Sequence, residues 1–292
     1  MTPHNETSAQ VQQLILRATA RLHECSDSSR LDAEILLATV LDVDRLWLIA
    51  NNQNVLDLDQ ENRFWHLIDQ RAQGMPVAYL INRREFFGLE FTVTPDVLIP
   101  RPETELLVEL ACSHLLTFGR PYKVLDLGTG SGCIAIAIAH TLGKDCSVLA
   151  VDSSTSALLL ARENARKHAV YERISFLESN WFSAIENELF DCIVSNPPYI
   201  STEAALPKNV QFEPASALYA GADGLTDIRS ILSNAPHYLK PDGAIFIECG
   251  HDQSKEVVEI AKEKGLFATF YRDLQGIERV LQATRFSPQN EA

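Results

Sequence analysis

Along the first 75 or so residues, apolar side chains recur every three or four positions, the period of an amphipathic helix. Val11, Leu14, Ile15, Ala18 and Leu22 predict one helix. Asp32 opens a second, with Ala33, Leu36, Leu37 and Val40 along one side, and a third runs from Asp44 through Leu46, Leu48 and Ile49. In a fourth, Asp59 is the expected N-cap, Phe64, Trp65, Ile68 and Ala72 form the apolar stripe, and Gly74 before Pro76 is the expected C-cap. This pattern predicts a small helical bundle. Its carboxylates, with His23 and His66, read as solvated helix faces.

Then the period shortens to two. Phe87, Leu89, Phe91 and Val93 alternate with Gly88, Glu90 and Thr92, as in a strand with one buried face. Pro95-Asp96 reads as a turn and Val97 to Ile99 as the return strand, giving a hairpin between the bundle and the rest. Arg101-Pro102-Glu103-Thr104-Glu105 leads into an apolar helix, Leu106 to Leu116, with Thr104 or Glu103 as its cap. A charged cluster between prolines is more often a solvated loop than a site.

From Lys123 onward strands and helices alternate, the pattern of a parallel α/β sheet. Val124-Leu125-Asp126-Leu127 is a short strand, Gly128-Thr129-Gly130-Ser131-Gly132 follows, and Cys133 to Thr141 is an apolar helix. Strand, glycine loop and helix together place a ligand at a helix N-terminus. The spacing departs from the dinucleotide fingerprint G-x-G-x-x-G, which weakens a nicotinamide or flavin reading. A second strand, Ser147 to Val151, ends in Asp152, 24 positions after Gly128. That is close to the ~20 expected for a carboxylate binding ribose hydroxyls; the competing reading is a cap for the helix from Thr155 to His168. A third strand, Ile174 to Glu178, precedes Asn180 and Trp181. These could meet an adenine edge and face, or Trp181 could simply be buried.

The fourth strand, Phe190 to Val194, runs into Asn196-Pro197-Pro198-Tyr199. Proline has no N–H, so neither a helix nor a central strand continues through it. The tetrapeptide is either a rigid strand exit or a stiffened ligand site at the carboxyl edge of the sheet. After a long loop, Ser201 to Gly224, come a helix from Thr226 to Leu239, a turn at Lys240-Pro241-Asp242-Gly243, and a strand from Ala244 to Glu248. A helix from Gln253 to Lys264, strands near Ala268–Tyr271 and Arg279–Ala283, and a frayed tail from Arg285 complete the chain.

Composition narrows the function classes. The chain has 292 residues, enough for two domains, and a formal net charge of −14. That balance argues against a large duplex-binding footprint, which needs clustered Lys and Arg. No apolar run approaches the ~20 residues of a membrane span, and residues 1–10 lack the apolar core of a signal peptide. A cytoplasmic location is therefore expected. The six cysteines are scattered without a C-x-x-C pair and read as reduced thiols, not a zinc site.

The glycine loop, Asp152 and Asn196 to Tyr199, in that order, resemble a class I S-adenosylmethionine-dependent methyltransferase acting on a planar nitrogen. Arg84-Glu85-Phe86-Phe87-Gly88, Val97 through Glu105, Asp32-Ala33-Glu34, Phe212-Glu213-Pro214 and Arg272-Asp273-Leu274 extend this. With them, the chain resembles the release-factor glutamine methyltransferase family of HemK/PrmC type. Asn180 departs from the Asp more usual before Trp181, and Cys249 from an apolar residue. The resemblance implies an α/β fold: a Rossmann-like seven-stranded mixed sheet, a small N-terminal helical-bundle domain at residues 1–83, a linking β-hairpin at 84–100 and a methyltransferase domain at 101–292.

It also implies S-adenosyl-L-methionine as methyl donor, S-adenosyl-L-homocysteine as product, and no metal. The implied substrate is the glutamine of the Gly-Gly-Gln loop in bacterial class I peptide chain release factors. The enzyme is expected to be a monomer with no stable nucleic-acid or membrane partner. The cofactor would lie on Gly128, Thr129, Gly130, Ser131, Gly132, Asp152, Asn180, Trp181 and Asn196. The substrate amide would lie on Asn196, Pro197, Pro198 and Tyr199. Asn196, Pro197 and Tyr199 would be catalytic, with Tyr199 packed on the planar amide. The main alternative is an adenine-N6 DNA or RNA methyltransferase, which needs base flipping and a stacking pocket; a non-catalytic scaffold is the other.

Overall fold

A computed structural model describes residues 9–119 and 121–286. The end of the expected frayed tail, from residue 287, lies outside them, as do the first eight residues. The chain divides into two compact units. One holds the described residues up to Asn82 together with Leu206–Phe212; the other holds the rest.

The first unit is helical: α1 (Val11–Leu22), α2 (Ser29–Leu41), α3 (Arg45–Ala50), α4 (Leu58–Ala72) and a short α5 (Val77–Leu80) after Pro76. Val11, Leu14, Ala18, Leu22, Leu36, Leu37, Phe64 and Ile68 are fully buried and form its core. Asp44 caps α3 through the Trp47 amide. The cap of α4 is Asp57, not Asp59: its carboxylate accepts from the Gln60 amide while the Gln60 side chain accepts from the Asp57 amide. A capping box needs a Gln or Glu three residues after the cap, and only Asp57 has one. Asp32 is not a solvated residue. It is buried and accepts from Arg71 Nε at 2.7 Å and from the hydroxyls of Ser26 and Ser28.

The second unit opens with a hairpin, β1 (Arg83–Phe86) and β2 (Leu89–Thr92). The turn is Phe87-Gly88, both at positive φ, as a two-residue hairpin loop requires. Phe is a poor residue for that conformation, which is why the turn reads instead as strand. The return strand expected at Val97 to Ile99 does not form. Prolines flank it, and the Ile99 amide is taken by the Glu213 carboxylate. Next come a 3₁₀ turn at Pro102–Thr104 and α6 (Glu105–Leu116). Neither Glu103 nor Thr104 caps α6, since Thr104 is itself helical and its side chain is engaged elsewhere.

The sheet follows in the order expected: β3 (Tyr122–Leu127), α7 (Cys133–Leu142), β4 (Cys146–Asp152), α8 (Thr155–Lys167), β5 (Ile174–Glu178), β6 (Phe190–Ser195), α9 (Thr226–Asn234), β7 (Leu239–Glu248), α10 (Ser254–Glu263), β8 (Phe267–Arg272) and β9 (Glu278–Thr284). α9 is shorter than expected because Pro236 follows it in a 3₁₀ turn. Lys240–Gly243 lies inside β7 at a register shift against β6, where Lys240 donates to the buried Asp191 carboxylate at 2.8 Å. The seven strands lie in the order β5-β4-β3-β6-β7-β9-β8, with β9 antiparallel to both neighbours. Leu125, Leu127, Ile193, Ile245 and Ile247 pack beneath α9 and α10. Their sheet neighbours Val124, Cys192, Val194, Ala244 and Phe246 pack beneath α6 and α7. Burial on both faces explains the continuous apolar runs. β4 and β5 lie on one side of β3 and β6 and β7 on the other, so the chain reverses direction across the sheet between β3 and β6. Crevices at the carboxyl ends of such strands hold ligands.

Because Asp32 and Arg71 are buried together, Arg71→Ala leaves a buried carboxylate without its charge partner and should destabilise the helical unit by about 3 kcal/mol. Asp57→Ala should cost about 1 kcal/mol through loss of the cap. Urea denaturation of the two variants checks both the values and their order.

Candidate active site

At the switch point, β3 and β6 leave the sheet side by side, with Leu127 opposite Ser195. Ser195 Oγ donates to the Leu127 carbonyl at 2.8 Å and holds the two exits together. Beyond them lies a cavity of about 220 Å³. Its lining includes Asp96–Leu98, Pro100, Arg101 and Thr104 on one wall and Gly128–Ser131, Cys133 and Ile134 from the glycine loop and α7. Asp152–Ser154, Ala157 and Ser179–Trp181 line it from the β4 and β5 exits, and Asn196, Pro198, Pro214, Ser216, Ala217 and Asp227 from the β6 exit onward.

Gly128, Gly130 and Gly132 have φ of 72°, 56° and 82°, which other residues rarely adopt. A Cβ on Gly132 would stand 3.1 Å from the Ala161 Cβ of α8, so its small size also brings the loop onto that helix. At Gly130 a Cβ would meet nothing within 4 Å, so this turn faces open space. Asn164 of α8 braces the loop from behind, donating to the carbonyls of Ser131 at 2.9 Å and Thr92 at 3.0 Å. Asp152 accepts from the Gly130 amide at 2.9 Å and the Ser154 amide at 2.9 Å. Ser154, not Asp152, caps α8 through the Ala157 amide. Burial raises the Asp152 pKa against the backbone amides of Ser154, Gly130 and Ser153, and the carboxylate keeps lone-pair capacity for a further donor. Asp126 behind the loop is fully buried and lifted to about 7, chiefly by desolvation, despite donation from the Thr129 hydroxyl and the Ala135 amide.

Trp181 lies over Gly128, where a Cβ would be 3.3 Å from its ring, and its Nε1 donates to Asp227 at 3.1 Å. Asn196 Nδ2 donates to Thr104 Oγ1 at 3.1 Å, while Asn196 Oδ1 is buried without a partner. Glu213 joins two walls, accepting from the Ile99 amide at 3.0 Å and Arg101 Nη2 at 2.5 Å.

The structure therefore brings Gly128, Thr129, Gly130, Ser131, Asp152, Asn180, Trp181, Asn196 and Pro198 to one cavity. Gly132, Pro197 and Tyr199 are outside its lining. The Tyr199 ring packs into the core beneath α9 and α10, and its hydroxyl donates to Glu248 Oε1 at 3.2 Å. Reading the sequence by motif overlooks Asp126, Asp227 and Asn164 and takes Thr104 only as a helix cap. Asp126 had a signal, as an acid two residues before a glycine loop; Asp227 and Asn164 had none, being single polar residues on amphipathic helices. Among the described residues, no group of three or more His, Cys, Asp or Glu side chains could hold a metal ion, and no helix is long and apolar enough to cross a membrane.

Comparison with known proteins adds the family. Residues 13–81 match the family described as the PrmC N-terminal domain, and residues 103–213 the methyltransferase small domain. A release factor glutamine methyltransferase of Xylella fastidiosa is 43% identical over 270 residues, covering 91% of this chain and 95% of the relative. The chain belongs to the release factor glutamine methyltransferase family. Its relative from Burkholderia pseudomallei is 44% identical over 268 residues, covering 89% of this chain and 93% of that one. The crystal structure of a methyltransferase from Pyrococcus furiosus shares the fold at a TM-score of 0.50 and 19% identity, covering 76% of this chain and 96% of that chain. In this methyltransferase the cavity at the switch point lies within the residues that match the methyltransferase domain and those flanking it.

The raised pKa of Asp126 has a signed consequence. Between its unfolded value near 3.8 and about 7, the native state holds a proton that the unfolded state has lost. Its contribution to stability is present below pH 4 and is lost as pH rises toward 7. Asp126→Asn should therefore flatten the stability profile between pH 4 and 7, checked by urea midpoints across that range.

Proposed function

We propose that this enzyme transfers a methyl group from S-adenosyl-L-methionine to the side-chain amide nitrogen of the Gly-Gly-Gln glutamine in bacterial class I release factors. The observation that carries this reading is Asn196 Oδ1, a buried acceptor with no partner beside the Gly128–Ser131 loop and Asp152. The residues present suit the donor: an open glycine turn, a carboxylate with spare lone pairs, and Trp181 with Asn180 at the β5 exit. Asp152 would hold the ribose, the glycine loop the methionine part, and Trp181 with Asn180 the adenine. When bound, the donor supplies an electrophilic methyl on a sulfonium sulfur.

An amide nitrogen is a weak nucleophile because its lone pair is delocalised into the carbonyl. The protein must hold the NH₂ in line and favour positive charge on it. Asn196 Oδ1 accepts one N–H and the Pro197 carbonyl the other. Fixed acceptors aimed at growing positive charge stabilise the transition state, and in-line holding lowers the entropic barrier. Pro197 and Pro198 keep that geometry stiff. Tyr199 supports the loop through its hydroxyl on Glu248, and its ring lies outside the cavity lining. The N-terminal unit is assigned to gripping the folded protein substrate.

Asn196→Ala should lower kcat by on the order of 10²–10³, as for loss of one preorganised electrostatic partner, with cofactor affinity nearly intact. Full activity in that variant sinks the assigned role. The substrate itself is tested by incubating the enzyme with labelled S-adenosylmethionine and either release factor or nucleic acid, then locating the methyl by mass spectrometry. Label on the Gly-Gly-Gln glutamine is expected; label only in nucleic acid overturns the reading.

A further inference from the structure

Trp181 stands in the left-handed region, at φ 51°, where a bulky side chain is rarely found. The Ser179 hydroxyl holds its backbone there, donating to the Trp181 carbonyl at 2.7 Å and accepting from the Ala184 amide at 3.1 Å. A fixed backbone points the side chain, but two torsions still decide where the indole lies. Two contacts settle them. The six-membered edge of the ring lies against Gly128, where a Cβ would stand 3.3 Å from Cζ3 and 3.6 Å from Cη2. At the other edge, Nε1 donates to Asp227 Oδ1 at 3.1 Å. An indole N–H can only donate, and Asp227 can accept whether or not it carries a proton. The two partners come from opposite sides of the switch point. Trp181 follows β5, on the side of the glycine loop, and Asp227 lies in the first turn of α9, on the side of the tetrapeptide. The segment leading into α9 is tied to that tetrapeptide: a Cβ on Gly224 would stand 2.4 Å from the Tyr199 carbonyl oxygen, and Gln253 Nε2 donates to the same oxygen at 3.0 Å. Trp181 and Asp227 both line the cavity. The indole thus spans from the glycine loop to α9, fixed at both ends.

We infer that Asp227 is a positioning residue for the methyl donor: by holding the Trp181 indole across the crevice, it presets the aromatic wall against which the adenine of S-adenosyl-L-methionine packs. An indole free to turn would lose that freedom when the donor arrives, and the loss would subtract from affinity. An indole already fixed by Asp227 and Gly128 loses nothing further. Asp227 acts through Trp181 and touches neither the methyl group nor the substrate amide. Its effect therefore falls on donor binding and not on the transfer step. The inference rests on the proposed donor site and adds the residue that fixes one of its walls.

The test uses Asp227→Ala, Asp227→Asn and Trp181→Phe in the full chain. Calorimetry gives Kd for S-adenosylmethionine and S-adenosylhomocysteine, and assays with release factor give kcat and KM. Asp227→Ala should weaken both ligands on the order of tenfold, as for loss of one hydrogen bond. The factor should be the same for both, because they differ at sulfur alone. At saturating donor, kcat and the KM for release factor should stay within about threefold of the parent. Asp227→Asn keeps an acceptor oxygen for the indole and should hold donor affinity within about threefold, which a role resting on the carboxylate charge would not give. Phe has no N–H, so adding Asp227→Ala to Trp181→Phe should weaken Kd by less than about a further twofold. Unchanged affinity in Asp227→Ala overturns the inference. So does an equal loss from Asp227→Ala in the parent and in Trp181→Phe, which would put Asp227 directly on the donor. If Asp227→Ala does not fold, Trp181→Phe decides: unchanged affinity overturns the inference, and a loss on the order of tenfold upholds it. A parent enzyme that binds neither ligand refutes the donor site itself, whereas parent-like binding in Asp227→Ala refutes only the role of Asp227.

Discussion

The parallel pairing of β3 with β6 is the constraint on which the site depends. Because Leu127 lies opposite Ser195, the glycine loop and the Asn196 tetrapeptide emerge at the same height from neighbouring strands. The Ser195 hydroxyl, bonded to the Leu127 carbonyl, keeps them from separating. Methyl transfer needs donor and acceptor in line within bonding reach, and on the proposed reading two adjacent strand ends supply that with little backbone freedom left. A shift of one residue in this register would send Asn196 into the opposite face of the sheet.

Around this junction the protein collects buried and half-buried carboxylates, each with a separate task. Asp126 braces Thr129 and the start of α7, Asp152 ties the glycine loop to the β4 exit, Glu213 joins two cavity walls, and Glu248 underlies the tetrapeptide. None stands on an exposed face. Asp152 is held by backbone amides and Glu213 by an amide and an Arg side chain. Such arrangements are costly to leave half-satisfied, which makes the partnerless Asn196 Oδ1 conspicuous as an acceptor awaiting a donor.

Much of the architecture was legible in residue order. The change from helical to strand period near residue 87 separated the helical bundle from the hairpin and the sheet, and the strand–glycine–helix unit with Asp152 marked the residues that line the cavity. Where expectation and structure part, the cause is local chemistry answering to distant residues. The hairpin turn falls on Phe87-Gly88 because the flanking strands pair there, although Phe is unsuited to positive φ. Val97 to Ile99 looks like a strand, but its Ile99 amide is claimed by Glu213, 114 residues away. Lys240 to Gly243 looks like a turn and is a shifted segment of β7.

The sequence alone determined the fold class and the order of elements, because period, glycine spacing and proline placement act over a few residues, and its family motifs pointed to the type of chemistry. It could not determine which side chains meet Asn196 and Tyr199. Thr104, 92 residues before Asn196, accepts from its amide, and Glu248, 52 residues after it, accepts from the Tyr199 hydroxyl. Only packing β7 beside β6, with α6 and its preceding turn beside them, brings the Thr104 hydroxyl to Asn196 and the Glu248 carboxylate to Tyr199. Hydrogen-bond direction depends on which polar groups are shut away from water together, and that is settled by tertiary structure.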